Sequence, residues 1–427
     1  MSALIIFALL TVLMLSGMPV SISLGLTVLT FLFAFTQVPL EAVALKLFTG
    51  IEKFEIMAIP FFILAGNFLT HGGVAKRMIF FATSMVGHLR GGLGLSSVFA
   101  CALFAAVSGS SPATVVAIGS ILMPAMVKAG YPKKFGVGII SSSGGLGILI
   151  PPSIVMVMYA VSTNSSIGAL FMAGVVPGLM MAFMLGFTTW YVAKKGNYPR
   201  EQPHSWTERW NAFRKAIWGL LLIVVVMGGI YSGLFTPTEA AAMSAMYAFF
   251  IAVFVYKDLG LKDVPRVLLN SANMSAMLLY IITNAVLFSF ILTNEQIPQG
   301  IADWLAHTGV GVVGFLIAVN ILLLVMGSFM EPSSIILITA PILFPIAMKL
   351  GIDPVHFGVM ITVNMEIGMI TPPVGLNLYV ASGVAKMGLT DCSKAVGPWL
   401  LTMLIALIVI TYVPAVSTWL PKTLGMM

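Results

Sequence analysis

Four polar patches interrupt an otherwise apolar chain, and their residue types suit the binding of hard cations. The first holds Ser108, Gly109, Ser110, Ser111, Pro112 and Thr114; the second holds Ser141 to Ser143, Gly144, Gly145 and Gly147, then Pro151 and Pro152. The third runs from Gly327 through Ser328, Glu331, Pro332, Ser333 and Ser334; the fourth holds Asn364, Glu366, Gly368, Thr371, Pro372 and Pro373. A hard cation such as Na⁺ takes oxygen ligands. Hydroxyls offer them directly. Glycine lets a backbone leave the helix, and a proline pair withholds two N–H donors and frees upstream carbonyls. Ser141–Gly147 is therefore expected to unwind.

The candidate Na⁺ ligands are Ser108, Ser110, Ser111, Thr114, Ser141, Gly144, Gly145 and Gly147 in one half. In the other they are Gly327, Glu331, Ser333, Asn364, Glu366, Gly368 and Thr371. At least two Na⁺ sites are expected, one per half. A solute between the halves would meet Ser111, Pro112, Ser143, Pro151, Pro152, Pro332, Pro372 and Pro373. Three carboxylates fall within apolar stretches, where an acid marks function by default. Glu239 closes a Thr-x-x-Glu capping box with Thr236. Glu331 and Glu366 could each bind a cation, carry a proton or cap a helix.

The solvent for this chemistry is a membrane. Of 427 residues, 59% are hydrophobic and 8% charged, with mean hydropathy +1.06, whereas a soluble domain is about 25% charged. The net charge of +7 is no nucleic-acid footprint, because in a membrane protein the placement of basic residues matters more than their sum. Membrane lipid is the expected surrounding, and no nucleic-acid partner is expected. Cys101 and Cys392 form neither a disulfide framework nor a metal-binding spacing. The five histidines are scattered and no phosphate loop is present, so an enzyme has no support. Ala3–Leu15 lacks a preceding basic region and reads as a retained span.

Apolar runs long enough to cross a bilayer lie at 3–17, 19–36, 56–70, 168–193, 217–235, 238–256, 274–293 and 396–420. Charged segments at 41–55, 73–88, 194–216 and 257–272 read as interfacial, the third with Trp206, Trp210 and Phe213 at helical spacing. The paired segments 92–107 with 113–127, and 310–326 with 333–348, read as helical hairpins. The returning arm at 113–127 would reach only about 22 Å against a core of about 30 Å, so re-entrant hairpins fit better than full crossings. Broken spans cover 135–164 and 357–387. With Lys194–Lys215 inside, 17 of the 21 basic residues fall inside, and only Lys46, Lys53, Lys349 and Lys422 fall outside. That asymmetry places both termini outside.

The two hairpin-plus-broken-span units are copies. Met123-Pro124 to Gly130 matches Phe344-Pro345 to Gly351, Phe135-Gly136-Val137 matches Phe357-Gly358-Val359, and Ile150-Pro151-Pro152 matches Thr371-Pro372-Pro373, at offsets of 220 to 222. The first copy enters from inside and the second from outside. Such an inverted repeat places substrate and ion sites near the midplane at broken helices, and its halves can exchange conformations.

Gly-Ser-Ser-Pro-Ala-Thr (109–114), Gly-Gly-Leu-Gly-Ile-Leu-Ile-Pro-Pro-Ser (144–153), Phe-Thr-Pro-Thr-Glu-Ala (235–240) and Glu-Ile-Gly-Met-Ile-Thr-Pro-Pro-Val-Gly (366–375) carry a resemblance over nearly the whole chain. It resembles the large membrane subunit of tripartite ATP-independent periplasmic (TRAP) transporters. The resemblance implies an all-α polytopic fold of the elevator type. Scaffold and arm helices would occupy 1–90 and 166–309, the transport units 91–165 and 310–390, and a last helix 391–427. It implies Na⁺-coupled uptake of an organic acid, of the sialic acid or C4-dicarboxylate class, in a bacterial or archaeal inner membrane. The implied partners are a periplasmic substrate-binding protein and a small four-helix membrane subunit. A stand-alone carboxylate carrier of the wider ion-transporter superfamily, working without a binding protein, remains the alternative.

Overall fold

The computed structural model describes residues 2–36, 38–307 and 311–427, and among these every regular element is helical. Lipid offers no hydrogen bonds, so a spanning backbone must satisfy itself, and the helix does so within one segment. Proline and glycine then decide where each helix ends. α1 (Ser2–Leu15) and α2 (Val20–Phe35) meet at Gly17-Met18-Pro19, with Gly17 at φ 85°. α3 (Leu40–Thr49) and a 3-10 turn at Phe54–Met57 lead into α4 (Ala58–His71) and α5 (Val74–Val86).

The first unit comprises the hairpin α6 (Gly92–Ser108) and α7 (Ser111–Lys128), then α8 (Lys133–Gly144), α9 (Leu146–Leu149) and α10 (Ile154–Thr163). α11 (Ile167–Lys195), α12 (Trp206–Tyr231), α13 (Pro237–Phe250), α14 (Val264–Asn294) and α15 (Ile297–His307) follow. The second unit is the hairpin α16 (Val312–Gly327) and α17 (Pro332–Lys349), then α18 (Pro354–Gly368) and α19 (Leu376–Ala385). α20 (Leu389–Ala395), α21 (Gly397–Tyr412) and α22 (Ala415–Thr423) complete the chain. The expected boundary at 309–310 lies outside the described residues.

Two interfacial segments are not separate helices. Residues 206–216 form the first turns of α12, and residues 264–272 the first turns of α14. No glycine or proline falls between Trp206 and Trp218. A fall in hydropathy does not break a helix, so the amphipathic stretch and the span are one rod. Trp206 and Trp210 remain exposed on it, and Phe213 stacks on Trp210 at 5.5 Å.

Packing sorts the helices. α4 lies against α13 and α14, α2 against α14, and α5 against α12. The two units exchange their last helices: α10 packs on α17 of the second hairpin, and α19 packs on α7 and α8 of the first. α11 packs against α6, α18, α21 and α22. Loop contacts join segments that the span count puts on one side: Arg77 with Asp258, Lys134 with Asp391 at 3.2 Å, and Lys349 with Asp303 at 3.5 Å.

The capping box at α13 is complete. Thr236 N and Thr236 Oγ1 both donate to Glu239 Oε2 at 2.8 Å, and Glu239 N donates back to Thr236 Oγ1 at 3.3 Å. Glu239 is therefore a helix cap. Thr236→Ala should cost about 1 kcal/mol of stability, read as a lower melting temperature in detergent, with uptake unchanged. A loss of uptake at unchanged stability would assign this corner a role in transport.

Candidate functional site

The tip of the first hairpin is built by a left-handed residue. Gly109 at φ 60° ends α6, and Ser110 starts α7 in an extended conformation. Ser108 Oγ donates to Thr114 Oγ1 at 2.8 Å, and Thr114 Oγ1 donates on to Ser110 O at 2.8 Å. The tip rests on the broken helix at Gly147, where a Cβ would lie 2.7 Å from Ser110 O and 2.8 Å from Thr114 Oγ1. It also rests on α4, where a Cβ at Gly66 would lie 2.9 Å from Ser108 O. Ser108, Ser110, Ser111, Thr114 and Gly147 are thus one cluster.

Ser141–Gly147 does not unwind. Ser141 to Gly144 continue α8, Leu146–Leu149 form a further turn, and the break lies at 150–153. Ser141 Oγ donates to Val137 O at 2.5 Å and Ser143 Oγ to Ile139 O at 2.6 Å, each spending its proton on its own helix. The glycines serve close approach instead: a Cβ at Gly144 would strike Val115, and Gly147 admits the hairpin tip. Pro151 and Pro152 are buried at the break.

The second unit repeats the plan with different chemistry. Gly327 and Gly368 are in backbone contact, for a Cβ on Gly327 would lie 2.9 Å from Gly368 Cα. Gly375 N donates to Ser328 O at 3.0 Å, tying hairpin to break. Glu331 caps α17, its Oε1 accepting from Ser333 Oγ at 2.6 Å and its Oε2 from Ser334 N at 3.3 Å. Thr371 Oγ1 donates to Ile367 O at 2.7 Å. Pro332 is buried at the start of α17, whereas Pro372 and Pro373 are exposed, so the second break is open where the first is covered.

Asn364 Nδ2 donates to Asn320 Oδ1 at 2.7 Å and to Met360 O at 2.9 Å. Glu366 is fully buried and faces Gly145, where a Cβ would lie 2.8 Å from Glu366 Oε1. Residues 145 and 366 lie 221 apart, within the 220 to 222 that relates the two copies. The carboxylate of one copy thus fills the space left by the glycine of the other.

Asn377 is the residue that sequence reasoning missed. From α19 its Nδ2 donates to Ser111 Oγ at 2.6 Å and lies 3.3 Å from Ser141 O, bridging the second unit to the first hairpin. Its signal was a lone amide in the apolar run after Thr-Pro-Pro. Among the described residues, Ser142 Oγ, Asn364 Oδ1, Asn377 Oδ1 and both Glu366 oxygens are buried without a partner. Buried polar atoms are normally paired. Unpaired oxygens of hydroxyl, amide and carboxylate type are the kinds of donor that a hard cation such as Na⁺ takes.

Comparison with known proteins agrees with this architecture. Residues 7–416 match the family model described as tripartite ATP-independent periplasmic transporter, DctM component. The chain is 71% identical, over the whole of both chains, to the C4-dicarboxylate TRAP transporter large permease protein DctM of Rhodobacter capsulatus. It is 55% identical to the protein of the same name from Pseudomonas aeruginosa, with 95% of each chain covered. It is 37% identical to the sialic acid TRAP transporter large permease protein SiaM of Vibrio cholerae, with 96% of each covered. Among solved structures, the Alcanivorax borkumensis YdaH transporter shares the fold with a TM-score of 0.64 at 17% identity, over 87% of this chain and 88% of that one.

Proposed function

This chain belongs to the DctM family of tripartite ATP-independent periplasmic transporters, and from that premise we propose that it is the translocating subunit of a Na⁺-coupled C4-dicarboxylate uptake system. It is a multi-pass transporter permease and not an enzyme. The observation that supports the substrate class is the 71% identity, over the full length of both chains, to a C4-dicarboxylate permease. The sialic acid relative stands at 37%, which favours the dicarboxylate of the two classes expected from the sequence.

The mechanism follows from the chain's own residues. The two units interlock through α10 and α19, which supports a motion of both together as one body against α2, α4, α13 and α14. Gly66 offers that body a smooth surface at the hairpin tip. The N-termini of α7 and α17 carry partial positive charge and face the dicarboxylate from the two hairpins. Na⁺ binds among the unpaired oxygens near Asn377, Asn364 and Glu366. All 21 basic residues lie in surface segments, so charge compensation falls to Na⁺ and to helix ends. Net positive charge carried inward gains roughly 2.3 kcal/mol per charge per 100 mV. The setting is a bacterial inner membrane with both termini periplasmic. A small membrane subunit and a periplasmic binding protein complete the system.

The test is uptake into proteoliposomes holding both membrane subunits. C4-dicarboxylate loaded on the binding protein should accumulate under an inward Na⁺ gradient and not under a proton gradient alone. Accumulation driven by protons alone would overturn Na⁺ coupling. Full-rate uptake of free solute without binding protein would favour the stand-alone carrier.

A further inference from the structure

A polar cavity lies away from the hairpin tips, at the seam where α3 and α14 meet α10 and α17. Its volume is about 270 Å³, close to the ~300 Å³ at which small-molecule pockets begin. Lys46 and Lys53 line it together with Ser162, Asn164 and Ser289, and no carboxylate does. Lys53 Nζ donates to Val161 O at 3.0 Å and to Asn164 Oδ1 at 2.5 Å, at the C-terminus of α10. Lys46 Nζ sits 5.4 Å from the Phe290 ring centroid. Glu52 and Glu55 flank Lys53 in sequence, yet neither lysine forms an ion pair among the described residues.

The placement of these two ammonium groups is informative. On the proposed orientation only Lys46, Lys53, Lys349 and Lys422 of the 21 basic residues lie outside. Basic residues are disfavoured there, yet half of those present converge on one concavity. Lys349 has its own partner in Asp303. Two ammonium groups in a small cavity without a carboxylate match a short dianion, and a lysine ammonium can donate to several carboxylate oxygens. We propose that this cavity is an outer antechamber that binds one C4-dicarboxylate, Lys46 on one carboxylate and Lys53 on the other, before the solute reaches the hairpins. The assignment rests on the dicarboxylate reading given above.

The test uses the complete transporter in zwitterionic proteoliposomes. Lysine acylation is read by mass spectrometry with millimolar C4-dicarboxylate, with butyrate, or with neither. The dicarboxylate should slow acylation of Lys46 several-fold, butyrate should not, and exposed Lys422 should react equally in all three. Lys46→Met should raise the loaded binding protein needed for half-maximal uptake about tenfold at nearly unchanged maximal rate, and Lys46→Arg should restore it. Equal protection by butyrate overturns the antechamber, as does protection that appears only when anionic phospholipid is added, which assigns the site to a lipid headgroup. Wild-type uptake of dicarboxylate without any protection of Lys46 also overturns it. Wild-type failure to take up dicarboxylate defeats the substrate reading itself, and the antechamber with it.

Discussion

Glu366→Gln is expected to raise the Na⁺ concentration for half-maximal uptake by about tenfold or more, and to make the Na⁺-free protein more stable. The carboxylate is fully buried, and neither oxygen has a partner among the described residues. An uncompensated buried charge costs several kcal/mol, so the charge must be matched by something bound. Glutamine keeps the volume and removes the charge. If Na⁺ is the match, the wild type gains melting temperature as Na⁺ rises, because a ligand that binds only the native state stabilises it by mass action. The variant should start higher and gain little. An unchanged Na⁺ requirement would mean that Glu366 is neutralised by a proton.

Gly145 supplies the steric control for that experiment. A Cβ at this position would lie 2.8 Å from Glu366 Oε1 and 3.0 Å from its Cδ, closer than packed atoms tolerate. Gly145→Ala should therefore abolish uptake through packing. Adding Glu366→Ala should recover stability without recovering Na⁺-driven uptake, which separates the space that Glu366 fills from the charge it carries. A double variant that transported normally with Na⁺ would leave the carboxylate with no role in coupling.

The hairpins were legible because proline and glycine obey backbone rules that need no neighbours. Ser111-Pro112 and Pro332 start α7 and α17 where the motifs predict, and Pro124 and Pro345 sit at matching places within them. The glycines of 144–147 were harder. Glycine serves both to free a backbone and to let another approach, and only the tertiary neighbours Val115 and Ser110 tell these apart. The acids within apolar stretches divided the same way. Glu239 was readable because its partner is three residues off, whereas the glycine that makes room for Glu366 lies 221 residues away. Hydropathy placed the spans but misplaced the starts of α12 and α14, since a charged turn continues a helix as readily as an apolar one.

Asn377→Leu should reduce uptake about tenfold or more with the protein still folded. The amide ties the two units together, reaching from α19 to Ser111 Oγ at 2.6 Å and Ser141 O at 3.3 Å. Leucine fills the volume and removes both N–H donors, leaving a buried hydroxyl at the first hairpin tip and a buried carbonyl in α8 short of their partner. Each lost partner costs about 1–3 kcal/mol, and the loss falls where hairpin, broken helix and α19 must keep register. A structural bolt and an ion ligand predict different couplings. As a bolt, Asn377 acts through Ser111, so Ser111→Ala and Asn377→Leu together should cost little more than either alone, at unchanged Na⁺ affinity. As a ligand, it acts through the unpaired Oδ1, so Asn377→Leu should raise the Na⁺ requirement beyond what Ser111→Ala does. The second outcome is expected, because an oxygen left free in a dry interior while its own nitrogen is doubly engaged is oriented for something else. Additive losses with unchanged Na⁺ affinity would remove Asn377 from the ion site and leave it a packing residue.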